Sequence, residues 1–221
     1  KMVHNGIEYG DMQLVSEVYW ILQELLALSA DEMHDVFSRW NTGKLNSYLV
    51  EITADILAYR DPDGKPLLDR ILDAAGQKGT GKWTGIAALT EGTPLTLIVE
   101  SVFARALSSQ KTDRVAAHAV FGSPRRSFTK DRDATISDLH DALYAAKIVS
   151  YAQGFELMRS ASESQGWNLD FAEIARIWRG GCIIRSAFLD SIASAFSVEE
   201  SLANLVVSDR FSQELMAADA S

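Results

Sequence analysis

Helical periodicity constrains this chain more than any other feature. Only four prolines occur in 221 residues, at 62, 66, 94 and 124, and Val, Ile and Thr do not gather into alternating runs. In the first 29 residues Val3, Ile7, Leu14, Val18, Ile21 and Leu25 fall in one narrow stripe at roughly 100° per residue. Ser29 then precedes ADEMHDVFSRW, an N-cap with early acids that predicts a second helix. Further helices are expected near 46–58, 67–74, 81–90, 94–109 and 111–120, with DPDG at 61–64 as a turn. FGSPRRSFTKDR at 121–132 is the clearest break. A long helix is expected from about 134 to 163, and others near 169–178, 182–195, 198–204 and 207–217. No segment reads as a strand, so the expected class is all-α, a multi-helix domain with long amphipathic helices.

An internal echo accompanies this pattern. KMVHNGIEYGDM at 1–12 lines up with KIVSYAQGFELM at 147–158, and WNTGKLNSYLVEI at 40–52 resembles WRGGCIIRSAFLDSI at 178–192. The echo reads as an ancient helical duplication, with chance similarity of amphipathic helices as the alternative. The second copy has Ser150, Tyr151 and Gly154 where the first has His4, Asn5 and Glu8, so only the first keeps the polar chemistry.

Charge narrows the classes of partner. The chain carries a net charge of −9 with a pI near 4.9, so a nucleic-acid surface is not expected. A small anion remains compatible, because a few clustered cations suffice to hold one. Cys182 is the single cysteine; it excludes an internal disulfide and suits a reducing cytosol, so a cytoplasmic location is expected. No apolar run reaches membrane-spanning length and no signal peptide is seen, so no membrane partner is expected. The first residue is not Met, and the opening is expected to be a cut through a longer protein.

Seven residues advance a helix by roughly 700°, so Glu8 returns to within about 20° of Lys1. Asn5, His4 and Tyr9 flank that line, opposite the apolar stripe. A solvated helix face is the ordinary reading of such a set. Three points oppose it: the face is built from His, Asn and Tyr rather than Glu, Lys and Arg; Gly6 and Gly10 each cost the helix about 1 kcal/mol relative to Ala, which implies close approach there; and an amine and a carboxylate two turns apart can act as base and acid. A second cluster, AGQKGTGKWT at 75–84, nearly fits a P-loop through Gly76, Gly81 and Lys82. Trp83 stands where a magnesium-binding hydroxyl belongs and no strand precedes it, so a triphosphatase is rejected. What remains is a glycine loop before a helix, with Lys78 and Thr80 free for an anion. Arg105 is a lone arginine on an apolar helix, a residue that pairs with a carboxylate, reaches solvent or holds a phosphate. His118, His140 and Cys182 read as structural, the five tryptophans as core or interface anchors, and no cluster has metal-site spacing.

Together KMVHNGIEYGDMQL, AGQKGTGKWT, VFARALSS and IWRGGCIIRS resemble the decarboxylating 6-phosphogluconate dehydrogenases, over essentially all of residues 1–221. The resemblance implies the helical C-terminal domain of that family, without its Rossmann NADP domain, whose GxGxxG is nowhere here, and without the C-terminal tail that reaches the neighbouring subunit. It implies oxidative decarboxylation of 6-phospho-D-gluconate to ribulose 5-phosphate in the pentose phosphate pathway, NADP as cofactor bound mainly by the absent domain, a homodimer, and no activity for the fragment alone. By the same resemblance Lys1 is the base that takes the 3-hydroxyl proton, which requires a neutral amine and hence a lowered pKa. Glu8 is the acid that protonates C1 of the enediol, His4 and Asn5 hold the sugar hydroxyls, and Tyr9, Lys78, Thr80 and Arg105 form the phosphate set. Two rivals stay open. A sister β-hydroxyacid dehydrogenase with an unphosphorylated substrate leaves Lys78, Thr80 and Arg105 without a role, and a non-catalytic helical interaction module leaves the Lys1/Glu8 pair unexplained.

Overall fold

The computed structural model describes residues 1–123, 128–199 and 201–219. Residues 124–127, in the middle of the expected break at 121–132, lie outside it. Ten α-helices make up the described residues: α1 (Met2–Trp20), α2 (Ala30–Trp40), α3 (Tyr48–Ala58), α4 (Thr80–Glu91), α5 (Thr96–Ser109), α6 (Lys111–Phe121), α7 (Arg132–Gln165), α8 (Phe171–Trp178), α9 (Phe188–Val198) and α10 (Asp209–Asp219). No strand is present among them, only two isolated bridges, and none of these helices is long and apolar enough to cross a membrane.

Local chemistry sets the ends. Ser29 starts α2 with a capping box: its hydroxyl accepts from the Glu32 amide, and Glu32 accepts from the Ser29 amide at 2.7 Å. Ser47, Asp131 and Asp170 cap α3, α7 and α8 from one side only, each side chain accepting from an amide three residues on. Gly92 and Gly166 close α4 and α7 in the left-handed conformation. DPDG forms its turn, with the Gly64 amide donating to Asp61 O at 2.9 Å.

Two expected helices are absent and a third starts late. Residues 67–74 give only a 3₁₀ turn, Leu67–Arg70, because Leu67, Ile71 and Leu72 are exposed and find no core; Arg70 instead binds Asp61 and Asp63. Periodicity without a packing partner does not hold a short helix. Residues 182–187 are non-helical and α9 begins at Phe188; Ile184 is buried and the backbone pairs elsewhere. Of the expected helix at 198–204, Val198 belongs to α9, residue 200 lies outside the described residues, and 199 and 201–204 are not helical; Asn204 caps a short 3₁₀ turn at Leu205–Val207. α1 runs into a π-helical turn, Ile21–Leu25, after which Leu26 and Leu28 are buried.

α1 and α7 form the spine, and α4 and α5 complete the cage around α1. Burial on α1 extends beyond the apolar stripe: Tyr9, Gly10 and Asp11 are buried along with Val3 and Ile7. The glycines mark where neighbours come close. A Cβ on Gly6 would lie 2.8 Å from Thr84 Cγ2, and one on Gly10 would lie 2.5 Å from Ser150 Oγ. In return α7 offers Gly154, where a Cβ would lie 2.6 Å from Ile7 Cδ1. Behind α7, Tyr151, Phe155, Phe188, Phe196 and Phe211 stack edge-on or tilted into the main core.

The two Trp–Gly–Ser segments of the sequence echo meet. Ser47 and Ser186 form an antiparallel bridge, in which the Tyr48 amide donates to Arg185 O at 3.0 Å and the Ala187 amide donates to Asn46 O at 3.1 Å. The Arg185 guanidinium stacks 3.6 Å over the Tyr48 ring.

Candidate active site

The first two turns of α1 carry His4, Asn5, Glu8 and Tyr9, and each faces a different neighbour. Asn5 Nδ2 donates to Thr80 Oγ1 at 3.3 Å, in the first turn of α4. The Asn5 carbonyl oxygen lies 3.2 Å from His4 Nδ1. Burial pushes the His4 ring below its ordinary value, and the nearby Lys1 side-chain charge acts the same way. A neutral His4 therefore donates from Nδ1 to Asn5, which leaves Nε2 as an acceptor. That Nε2 is buried and has no partner among the described residues. The order of donors is then fixed: His4 to Asn5, Asn5 to Thr80, with the Thr80 hydroxyl hydrogen free to point outward. Trp178 of α8 holds the ring edge-on at 5.4 Å.

Tyr9 is buried beside the N-terminus of α4. A Cβ on Gly81 would lie 2.8 Å from the Tyr9 ring, so only glycine admits this approach. Over the face of the ring sits Arg105 of α5, its guanidinium 4.6 Å from the centroid. Arg105 also donates to Gly76 O at 3.1 Å and lies 3.6 Å from Met12 Sδ. The lone arginine thus ties α1, α5 and the glycine loop together, and it has no carboxylate within ion-pair distance among the described residues. Lys78 is exposed on the same loop, two residues beyond Gly76, and it too has no such partner among them. Gly79 enters α4 at φ +95 with no side-chain cap, leaving the first amides of a twelve-residue helix pointing at this space. Two unpaired cations, a free hydroxyl and a helix N-terminus make an anion cradle.

Glu8 lies between that cradle and the Cys182 loop. Burial pushes its carboxyl above the ordinary value, while Arg105 pulls the other way. It has no hydrogen bond or ion pair to another side chain among the described residues, so its direction comes from the helix that carries it. Its charge reaches Cys182, whose thiol is itself pushed up by burial and donates to Trp178 O at 3.0 Å. Lys1, the N-cap of α1, is exposed and stands about 10 Å along the helix axis from Glu8, by a rise of about 1.5 Å per residue. It lines the mouth of an apolar cavity of about 650 Å³ with Ala87, Trp167, Ile177 and Trp178.

All eight residues singled out in the sequence thus fall on α1, the 76–80 loop and the facing side of α5. Sequence reasoning missed the buried pair beneath them. Lys147 of α7 donates to Asp11 Oδ2 at 2.6 Å, and both side chains are almost wholly buried. Tyr151 lies fully buried against the same carboxylate, its hydroxyl 3.4 Å away. The available signal was the aligned Lys1/Lys147 of the echo, together with an aspartate on the glycine side of α1. Of the tryptophans, Trp40 and Trp178 are core residues, while Trp20, Trp83 and Trp167 are exposed.

Comparison with known proteins agrees over the whole chain. The family profile described as 6-phosphogluconate dehydrogenase, C-terminal domain, matches residues 1–221. The chain is 58% identical to the decarboxylating 6-phosphogluconate dehydrogenase of Treponema pallidum (strain Nichols), over 99% of the chain and 46% of that protein. It is 55% identical to the NADP(+)-dependent, decarboxylating enzyme of Bacillus subtilis (strain 168), over 96% of the chain and 45% of that protein. A solved structure of Plasmodium falciparum 6-phosphogluconate dehydrogenase, described in its apo form and in complexes with NADP+ and with 6-phosphogluconate, superposes with a TM-score of 0.96 at 46% identity. That match covers 100% of this chain and 48% of the other. The chain spans about half the length of the curated relatives it matches. A helical cage around α1, a cradle built from its polar turns and a match from end to end therefore lead to one statement: this chain belongs to the 6-phosphogluconate dehydrogenase C-terminal domain family.

Proposed function

We propose that residues 1–221 are the substrate-binding and proton-transfer domain of a decarboxylating 6-phosphogluconate dehydrogenase, which converts 6-phospho-D-gluconate to D-ribulose 5-phosphate and carbon dioxide with NADP as hydride acceptor. The observation that carries this reading is the convergence of Asn5, Tyr9, Thr80 and Arg105 around one anion cradle, on the helix that also bears Lys1, His4 and Glu8. The relatives' names and the complexes of the Plasmodium enzyme support it. NADP supplies the acceptor for the hydride. No GxGxxG occurs in this chain, so none of its residues is assigned to hold the dinucleotide.

Each residue then has a task set by its surroundings. Thr80 directs its hydroxyl hydrogen, Arg105 its guanidinium and Lys78 its ammonium to the substrate phosphate. Three cationic or hydrogen-bonding groups allow a protein of net charge −9 to hold an anion locally. His4 Nε2 accepts a hydrogen from a sugar hydroxyl, because its Nδ1 hydrogen is engaged with Asn5. Lys1, as the neutral amine, takes the proton of the 3-hydroxyl while the C3 hydride departs. The carboxylate carbon then leaves as carbon dioxide, its bonding pair passing into the enediol, and Lys1 returns its proton to the C3 oxygen. Glu8 delivers a proton to the carbon that lost the carboxylate as Lys1 removes the hydroxyl proton and the ketone forms. A carboxyl held above its ordinary value by burial stays protonated further toward neutrality, as a donor requires.

The same protein is proposed to be a cytoplasmic homodimer. α6 has no buried residue, and Trp83, Leu89, Phe103, Val120 and Phe121 of α4–α6 are exposed, a surface suited to a second copy.

Replacing Glu8 by Gln in the full-length enzyme tests the chemistry. Formation of ribulose 5-phosphate should fall by about 100-fold or more, the usual scale for losing a proton donor, with KM for 6-phosphogluconate changed little. Turnover near that of the unmodified enzyme would overturn the assignment.

A further inference from the structure

We infer that the buried Lys147–Asp11 ion pair is a positioning pair that sets the rotation of α1 about its axis and so aims Glu8. The inference rests on the proposed role of Glu8 and concerns how that role is supported.

Glu8 receives no directing bond from a neighbouring side chain among the described residues, unlike His4, Asn5 and Tyr9. Asn5 is tied to Thr80, His4 is held by Trp178 and Asn5, and Tyr9 is clamped between Gly81 and Arg105. The end of the helix near Met2 is further fixed by Thr84, whose hydroxyl donates to Met2 O at 2.8 Å. Three residues past Glu8, Asp11 makes the one short polar contact between α1 and α7, at 2.6 Å from Lys147 Nζ.

The remainder of that seam is close packing of side chains against glycines. Gly10 lies against Ser150, and Gly154 lies against Ile7 and Val3. Such packing fixes how close the helices lie and limits rotation, but no directed polar bond aims it. A charged pair in a dry interior does resist, because its energy depends steeply on separation and angle. The lever is short: a rotation of about 10° at a carboxylate roughly 7 Å from the helix axis moves it by about 1 Å, and a misplacement of about 1 Å at a reacting group costs on the order of 100-fold in rate. The pair is net neutral, so it acts on Glu8 through geometry rather than through field. The groups that face Asp11 are Lys147 and Tyr151 of α7; the charge that reaches Glu8 is that of Arg105 of α5, and the charge of Glu8 in turn reaches Cys182.

The pair also has little reason to be there for stability alone. Exchanging a buried ion pair for apolar residues of similar volume is commonly neutral or stabilising, whereas removing one partner strands a charge. The double substitution Asp11→Leu with Lys147→Met is therefore the informative one.

In the full-length enzyme this double variant should keep its melting temperature within a few degrees and its KM for 6-phosphogluconate within about threefold, because the phosphate cradle has its own anchors; kcat should fall by about tenfold to 100-fold. A folded double variant whose kcat stays within about twofold of the parent would overturn the inference. So would a double variant that fails to fold, because the pair would then serve the fold. Glu8→Gln is measured in parallel. If Glu8→Gln loses turnover while the double variant keeps it, only the positioning role falls. If Glu8→Gln keeps turnover, the reading of Glu8 falls and the positioning role with it.

Discussion

The Arg105 guanidinium lies 4.6 Å over the ring of Tyr9 and donates to the carbonyl of Gly76 at 3.1 Å. One side chain thereby joins the central helix, the glycine loop and α5, and no carboxylate lies within ion-pair distance of it among the described residues.

That relationship predicts a split between two substrates. In the full-length enzyme, Arg105→Ala should raise KM for 6-phosphogluconate by roughly 10- to 100-fold, the worth of one charge-assisted hydrogen bond to phosphate, and change kcat much less. Weak turnover of unphosphorylated gluconate should be unaffected. Steady-state kinetics on both compounds checks this, and an unchanged KM for the phosphorylated one would remove Arg105 from the cradle.

Close approach at Gly10 carries a second prediction. A methyl group there meets Ser150 Oγ at 2.5 Å and Leu97 Cδ2 at 3.0 Å. Gly10→Ala should therefore destabilise the protein by about 1–3 kcal/mol of overpacking, against the gain of about 1 kcal/mol that alanine brings to a free helix. Adding Ser150→Gly should recover part of the loss. Chemical denaturation of the two variants decides it, and a stabilised Gly10→Ala protein would show that the seam opens freely.

Glu8 trades stability for its proton. Burial holds its carboxyl above the ordinary value, so the folded protein keeps this proton to higher pH than the unfolded chain does. The stabilisation from protonated Glu8 is complete below the ordinary carboxylate range and is lost as pH rises through the raised value. Glu8→Gln should therefore melt higher than the parent at pH 7, with the two curves converging near about pH 4. A parent more stable than the variant at pH 7 would mean that the folded environment favours the carboxylate.

Much of this architecture was legible from spacing. Ser29 and the early acids after it announced a helix start that the structure keeps, because capping is local chemistry. Residues 67–74 and 198–204 misled because an apolar repeat says nothing about whether a neighbour exists to cover it. Gly6 and Gly10 were readable as points of contact, but not which helices arrive there. The polar residues of α1 were visible as a set, whereas their division among Thr80, Trp178 and Arg105 depends on contacts 75 or more residues away in the chain. The Asp11–Lys147 pair was hidden for the same reason: each residue alone looks like an exposed charge, and only the crossing of α1 with α7 buries both.

Ile7 occupies the notch that Gly154 leaves in α7. Neither position can vary alone: a bulkier residue at 154 fits only if position 7 shrinks, and a smaller one at 7 opens a void that glycine cannot fill. Across lineages these two sites should drift as a matched pair, changing together or holding still, although 147 positions separate them along the chain.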